Sequence, residues 1–358
     1  TRKVDPMKVF HTAAHANHSP DTFYIWGQFL TFTPDPPARA DNILAALKRD
    51  GHTLLEAPQY GLRPIADIHT PEYLEYLKTA WAAWRKAAEP ALASGLLADA
   101  RDVYPLIFPD RGVESRYPSS IVARAGFHAS DLWMPIGERS WEAIAASANL
   151  AVAAADAVLK GERFAYALCR PSGHHADKDR GGGNCYLNNA AIAAQYLRSA
   201  VGRVAILDID VHHGNGTQRI FYDRDDVLFV SIHCNPDDCY PYFVGYDHER
   251  GAGRGHGYNL NLPLPKHTSD DGFLAAIETA CARISAYAPD ALVLSLGVDG
   301  HEADLTDEMK VTLSGFRAAG ARLGRMGLPT VIVQEGGYNL VTIGSCVATV
   351  ISGLEDDR

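Results

Sequence analysis

The stretch Val204-Ala-Ile-Leu-Asp-Ile-Asp-Val-His-His-Gly-Asn-Gly216 restricts what this chain can fold into more than any other. Val204 to Leu207 is an unbroken apolar run of the kind that suits a strand buried on both faces. It leads directly into Asp208, Asp210 and His212, spaced two apart. In extended backbone, residues i, i+2 and i+4 point to one side, so two carboxylates and an imidazole share a face. Charge at the end of a buried strand must be paired or metal-bound. Gly214, Asn215 and Gly216 then break the strand and open a helix at Thr217.

The same alternation extends along the second half of the chain. Apolar strands are expected at 164–169, 204–207, 227–232, 291–296 and 330–334, with helices at 141–160, 188–200, 217–222, 269–286, 311–325 and 344–354. Short apolar strands alternating with helices predict an α/β fold with a mostly parallel sheet covered on both faces. Upstream, Val9-Phe10 reads as a strand, and 38–49 and 71–85 as helices. Residues 87–133 carry Pro90, Pro105, Pro109 and Pro118 and give no clear assignment. No repeat or linker divides the 358 residues, so a single domain over 1–358 is expected. Residues 11–37 cannot form one continuous helix through Pro20, Pro34, Pro36 and Pro37. A long segment of this kind is expected to be a functional or interaction element.

Composition narrows the partners. A net charge of −10 argues against nonspecific nucleic-acid binding and is compatible with a cationic substrate. No apolar run approaches the ~20 residues of a bilayer span, and the first eight residues contain no apolar leader. The six cysteines form no CxxC pair and read as buried thiols suited to a reducing compartment. Together these features predict a cytoplasmic protein that engages neither membrane nor nucleic acid.

In open α/β sheets, ligands bind beyond the carboxyl ends of the strands. Each strong strand here ends in reactive residues: Arg170-Pro-Ser-Gly-His-His175, Asp208 to His213, Ser231 with His233, Gly297-Val-Asp299 and Glu335-Gly-Gly-Tyr338. Asp210, His212 and Asp299 form an O, N, O ligand set that leaves a position open for water. Zinc suits it, and Fe(II), Co(II) or Mn(II) fit the same donors. His174 and His175 offer a base and a second proton-transfer group, with Asp208 and Asn215 available to orient them. Tyr338 can donate its phenol to a developing oxyanion.

Five ordered motifs, Arg170-Pro-Ser-Gly-His-His-Ala176, Asn184-Cys-Tyr-Leu-Asn-Asn189, Ile206 to Gln218, Leu294-Ser-Leu-Gly-Val-Asp299 and Glu335-Gly-Gly-Tyr338, resemble the histone deacetylase superfamily, and within it the bacterial acetylpolyamine amidohydrolases. The resemblance spans residues 9–353. It implies an arginase-deacetylase fold around an eight-stranded parallel sheet, with Zn²⁺ on Asp210, His212 and Asp299. His175 would be the general base, His174 a general acid or electrostatic partner, and Tyr338 the group polarising the scissile carbonyl. A structural K⁺ is implied at Asp208, the Ser231 side chain and the main-chain carbonyls of Asp210, His212 and Ile232. Residues 11–37 resemble the loop through which such enzymes form homodimers and narrow the entrance. The implied reaction is deacetylation of a small cationic amine, with acetyl-lysine of a protein or peptide as the alternative substrate.

The chain departs from the family at the substrate tunnel. Asn184 stands where an aromatic residue usually forms one wall, so that wall is expected to be polar. Tyr240 or Phe243 is expected to supply the opposite wall. Asp131 is the candidate for reading the distal amine.

Overall fold

The structure, a computed structural model, describes residues 6–110 and 115–356. Residues 1–5, read above for a leader, lie outside that description. In chain order, β1 (Lys8–His11) is followed by a 3-10 turn at Ala13–Asn17 and by the hairpin β2 (Phe23–Ile25) and β3 (Gln28–Leu30). Next come α1 (Ala38–Arg49), β4 (Thr53–Glu56), α2 (Arg63–Ala66), α3 (Pro71–Ala93), α4 (Ile121–Phe127) and α5 (Ser140–Leu159). They are followed by β5 (Phe164–Ala167), α6 (Asn189–Arg198), β6 (Val204–Asp208), α7 (Asn215–Phe221) and β7 (Val227–Cys234). The chain continues through β8 (Asn259–Leu264), α8 (Asp270–Tyr287), β9 (Ala291–Leu296), α9 (Leu313–Gly324), β10 (Thr330–Gln334) and α10 (Ile343–Glu355).

Eight strands form one parallel sheet in the order β4-β1-β5-β10-β9-β6-β7-β8. Strand alternation divides the core into two layers. Val204 and Ile206 of β6 face the layer with α3, α5 and α6, while Ala205 and Leu207 face the layer with α1, α8, α9 and α10. All four are fully buried, and burying each Val, Ile or Leu side chain contributes roughly 1.5–3 kcal/mol. Both layers pack on the same sheet, so this is one α/β domain. The topology also brings β5, β10, β9 and β6 side by side, although their sequence positions span 164 to 334.

Four expectations need revision. The edge strands β4 and β8 are absent from the sequence reading, because Thr53, Glu56, Asn259, Asn261 and Pro263 interrupt any apolar run. Helix α3 continues through Pro90 to Ala93, since a proline in an exposed last turn forfeits few contacts. Helix α5 is long and apolar enough to cross a membrane, contrary to the sequence reading, but 72% of its most apolar stretch is buried in the protein. Finally, Cys234 and Cys239 form a disulfide, leaving Cys169, Cys185 and Cys346 as buried thiols and Cys281 half-buried. A turn in which Asp238 and Cys239 donate to the Asn235 carbonyl brings the pair together, a closure that their spacing does not signal.

Candidate active site

The four adjacent strands deliver the predicted residues to one edge of the sheet. Asp210 lies just beyond β6, with its carboxylate fixed by main-chain donors: His212 N–H to Oδ1 (2.9 Å) and Gly336 N–H to Oδ2 (2.7 Å). Asp299, beyond β9, accepts from Val211 N–H at 2.9 Å through Oδ1. His212 Nδ1 stands 3.1 Å from Asp210 Oδ1 and 3.2 Å from Asp299 Oδ2. Gly336 permits this convergence, because a Cβ there would lie 2.2 Å from Asp299 Oδ2 and 2.5 Å from Asp210 Oδ2.

These residues fit a divalent cation. Their donor atoms lie within 4.8 Å of one another, and Asp299 Oδ2 is buried without a hydrogen-bond partner. Burial and the Asp210 carboxylate push the Asp299 carboxyl up to about 7. A cation between the two carboxylates removes that repulsion. The outer nitrogen of His212, Nε2, faces Glu308 Oε2 at 3.2 Å, the carboxylate partner that a metal-binding imidazole commonly has. The sequence reading missed Glu308, since nothing in its loop marks it.

The tandem histidines sit on the turn after β5, with ring centroids 3.9 Å apart. His174 Nδ1 donates to Asp208 Oδ2 at 2.9 Å, and His175 Nδ1 pairs with Asn215 Oδ1 at 2.8 Å. An amide oxygen only accepts, so His175 carries its proton on Nδ1 and presents a lone pair on Nε2. Burial disfavours the charged form of both rings. At His174 the Asp208 and Asp210 carboxylates outweigh it and raise the pKa, whereas at His175 the neighbouring His174 and His212 add to burial and lower it. Two adjacent imidazoles thus have opposite proton affinities.

Tyr338 follows the Gly336-Gly337 turn, with its N–H donated to Asp304 Oδ2 at 2.8 Å. The Arg39 guanidinium lies 5.0 Å from its ring centroid. Burial and the Asp299 and Asp210 carboxylates raise the phenol pKa, keeping it a proton-bearing donor. Glu335, quoted in its motif but given no role from the sequence, accepts from Gly173 N–H at 2.8 Å and His174 N–H at 3.2 Å. Asp208 is in register with Ser231 across β6 and β7. Ser231 Oγ lies 2.8 Å from His233 Nδ1, and His233 Nε2 donates to the Gly245 carbonyl. The Ser231 hydroxyl is therefore the donor to His233, and its lone pairs remain open to a cation.

A cleft of about 1040 Å³ opens from His175 and Asn215 and is lined by Asp131, Trp133, Tyr240 and Phe243. Trp133, overlooked in the sequence, packs against Tyr240 at 5.3 Å between ring centroids, and Tyr240 meets the His175 ring edge-on at 4.8 Å. Phe243 is 76% exposed. The Asn184 backbone, at φ 62°, donates to the Trp133 carbonyl. Asp131 lines the cleft, but both oxygens are engaged, by Trp133 N–H at 2.7 Å and by the Tyr240 hydroxyl at 2.6 Å. These contacts brace the wall, and each carboxylate oxygen has a second acceptor lone pair. Gly183 lets the wall approach the histidines, since a Cβ there would lie 2.5 Å from His175 Cδ2.

Comparison with known proteins identifies the family. A histone deacetylase domain model matches residues 33–354. Acetylpolyamine amidohydrolase 1 of Pseudomonas aeruginosa is 44% identical over 89% of this chain and 90% of its own length. Acetylpolyamine amidohydrolase 2 of the same organism is 42% identical over 96% of each chain. A crystal structure of acetylpolyamine aminohydrolase from Burkholderia pseudomallei superposes with a TM-score of 0.91 at 41% identity, covering 97% of this chain and 98% of that one. The arginase-deacetylase architecture expected from the motifs is therefore present, and the chain belongs to the histone deacetylase family.

Proposed function

We propose that this protein hydrolyses the N-acetyl amide of a small cationic amine, with Asp210, His212 and Asp299 holding a divalent metal. The observation that carries the reading is the convergence of this buried O, N, O set with two histidines of opposite proton affinity. Names of close relatives supply the substrate class. Zn²⁺ suits the donors, and Fe²⁺ or Co²⁺ are compatible with them. When bound, the metal supplies Lewis-acid polarisation of the amide and acidification of water.

The side chains perform the remaining steps. His175 Nε2 accepts the proton of the attacking water, and Asn215 keeps that nitrogen unprotonated beforehand. The Tyr338 phenol donates to the oxygen that becomes negative as the carbonyl carbon turns tetrahedral. His174, kept cationic by Asp208, stabilises that charge and gives a proton to the departing nitrogen. The products are acetate and the free amine. A K⁺ held by Asp208, Ser231 and the carbonyls of Asp210, His212 and Ile232 would stiffen the end of β6.

The entrance segment supports a homodimer in this proposal. Its hairpin leaves Trp26 93% and Phe29 59% exposed, an apolar surface that a second copy would cover. Acetate release from acetylputrescine and from acetyl-lysine peptides, measured with each metal, tests the reaction. Inactivity on every acetylated amine with metal bound would sink it, and preferential turnover of folded acetylated protein would favour the lysine alternative.

A further inference from the structure

Asp35, at the root of the entrance segment, is buried between two buried arginines, Arg39 and Arg170. Its Oδ1 accepts from Arg39 Nη1 and from Arg170 Nε, the latter at 3.1 Å, and its main-chain carbonyl accepts from Arg170 Nη2 at 2.6 Å. Each arginine reaches a different part of the site. Arg39 donates through Nη2 to the Glu335 carbonyl at 2.8 Å and through Nε to the Gly337 carbonyl, gripping the turn that carries Tyr338. Arg170 opens the turn that carries His174 and His175, and it also donates to the carbonyls of His15 and His18. The Glu335 carboxylate joins the two turns through Gly173 N–H and His174 N–H. The links close into a ring that runs from Asp35 to Arg39, to the Tyr338 turn, to the histidine turn, to Arg170 and back.

We infer that Asp35 is a positioning residue, which sets the Tyr338 turn against the histidine turn and couples both to the entrance segment. The inference rests on the deacetylase reading. Asp35 touches no reacting group; it is the carboxylate on which the Arg39 link and the Arg170 link meet. Loss of the Asp35 carboxylate weakens both links at once: Arg39 loses its Nη1 contact and Arg170 its Nε contact, while Arg170 keeps the carbonyls of His15, His18 and Asp35. A shift of about 1 Å at a site distant from the chemistry can reduce turnover by about 100-fold, and such a shift acts on kcat rather than on substrate capture.

The test uses the metal-loaded full chain with Asp35→Asn and Arg39→Lys. Asp35→Asn is expected to lower kcat on acetylputrescine by about 10- to 100-fold, with KM and metal content nearly unchanged. Amide exchange, followed by mass spectrometry, should rise in the peptides around 171–175 and 335–338 and stay constant in α8. Arg39→Lys keeps the charge but cannot span both carbonyls, so exchange should rise around 335–338 alone. An unchanged kcat in both variants would overturn the inference, as would a chain-wide rise in exchange with loss of metal. If the unsubstituted protein deacetylates nothing, the proposed function falls while the exchange patterns still decide the role of Asp35.

Discussion

The floor of the site and its aromatic wall are held by different means. On the floor, Asp208, Asp210 and Asp299 are fully buried and receive main-chain N–H donors from Asp210, His212, Gly336 and Val211. Those donors belong to the strand ends and cannot turn away without disrupting the sheet. The wall consists of Trp133 and Tyr240 on loops, joined through the single carboxylate of Asp131, and of Phe243, which is mostly exposed. Dipoles fixed before the reaction begins are what stabilise developing charge. A wall hung from side chains can change without disturbing the chemistry, as functional loops on rigid scaffolds generally do. In the proposed reaction the floor would carry the chemistry, and the wall would select what enters.

The comparison breaks most severely at the metal ligands. Asp210→Asn should abolish metal retention and acetate release together, measured by metal analysis of the purified protein. Its effect should exceed the roughly 10–100-fold loss of affinity seen when only a supporting partner is removed. Tyr338→Phe should lower kcat by about two to three orders of magnitude while KM and metal content hold, the scale of one oxyanion donor. Near-normal turnover would remove Tyr338 from that role. Asp131→Asn should release the Tyr240 hydroxyl and raise KM by about tenfold, or ~1.4 kcal/mol, with kcat within a factor of about two. If kcat fell as far as with Tyr338→Phe, wall and floor would be one unit.

A separate effect, on stability, comes from outside both regions. Burial lowers the pKa of His18 to about 3, with Arg170 adding to it, and that of His69 to about 4. An unfolded histidine binds a proton near 6.5, so below that pH the unfolded chain binds protons that the folded chain refuses. Stability should therefore decline as pH falls from about 6.5 towards 4, by up to ~1.4 kcal/mol per pH unit for each histidine. Urea midpoints at pH 7, 6 and 5 would measure it, and His69→Gln should flatten the decline.

Legibility in the sequence followed the same division. The floor residues lie within a few positions of apolar strand ends, so periodicity alone placed them. The wall left no such trace. Trp133 sits in a proline-punctuated stretch without periodicity, and its pairing with Tyr240 joins loops 107 positions apart, as the Asp131 contact joins residues 109 apart. The expected polar wall at Asn184 depended on a correspondence with the family. In the structure Asn184 turns its left-handed backbone to Trp133. Glu308, Asp35 and Arg39 went unnoticed because their functions depend on partners supplied by distant segments.

By itself the sequence determined that a parallel α/β sheet would carry carboxylates and imidazoles at its carboxyl edge, because strand period and apolar burial are local properties. It also determined which residue types could hold a metal and move a proton. Only the tertiary structure decided which strands became neighbours. The order β5-β10-β9-β6 brings the segments carrying His175, Tyr338, Asp299 and Asp210 to adjacent strand ends. It likewise joined Asp131 to Trp133 and Tyr240, and Asp35 to Arg39 and Arg170. Those outcomes depend on long-range packing of the two core layers, which brings together groups that no local pattern relates.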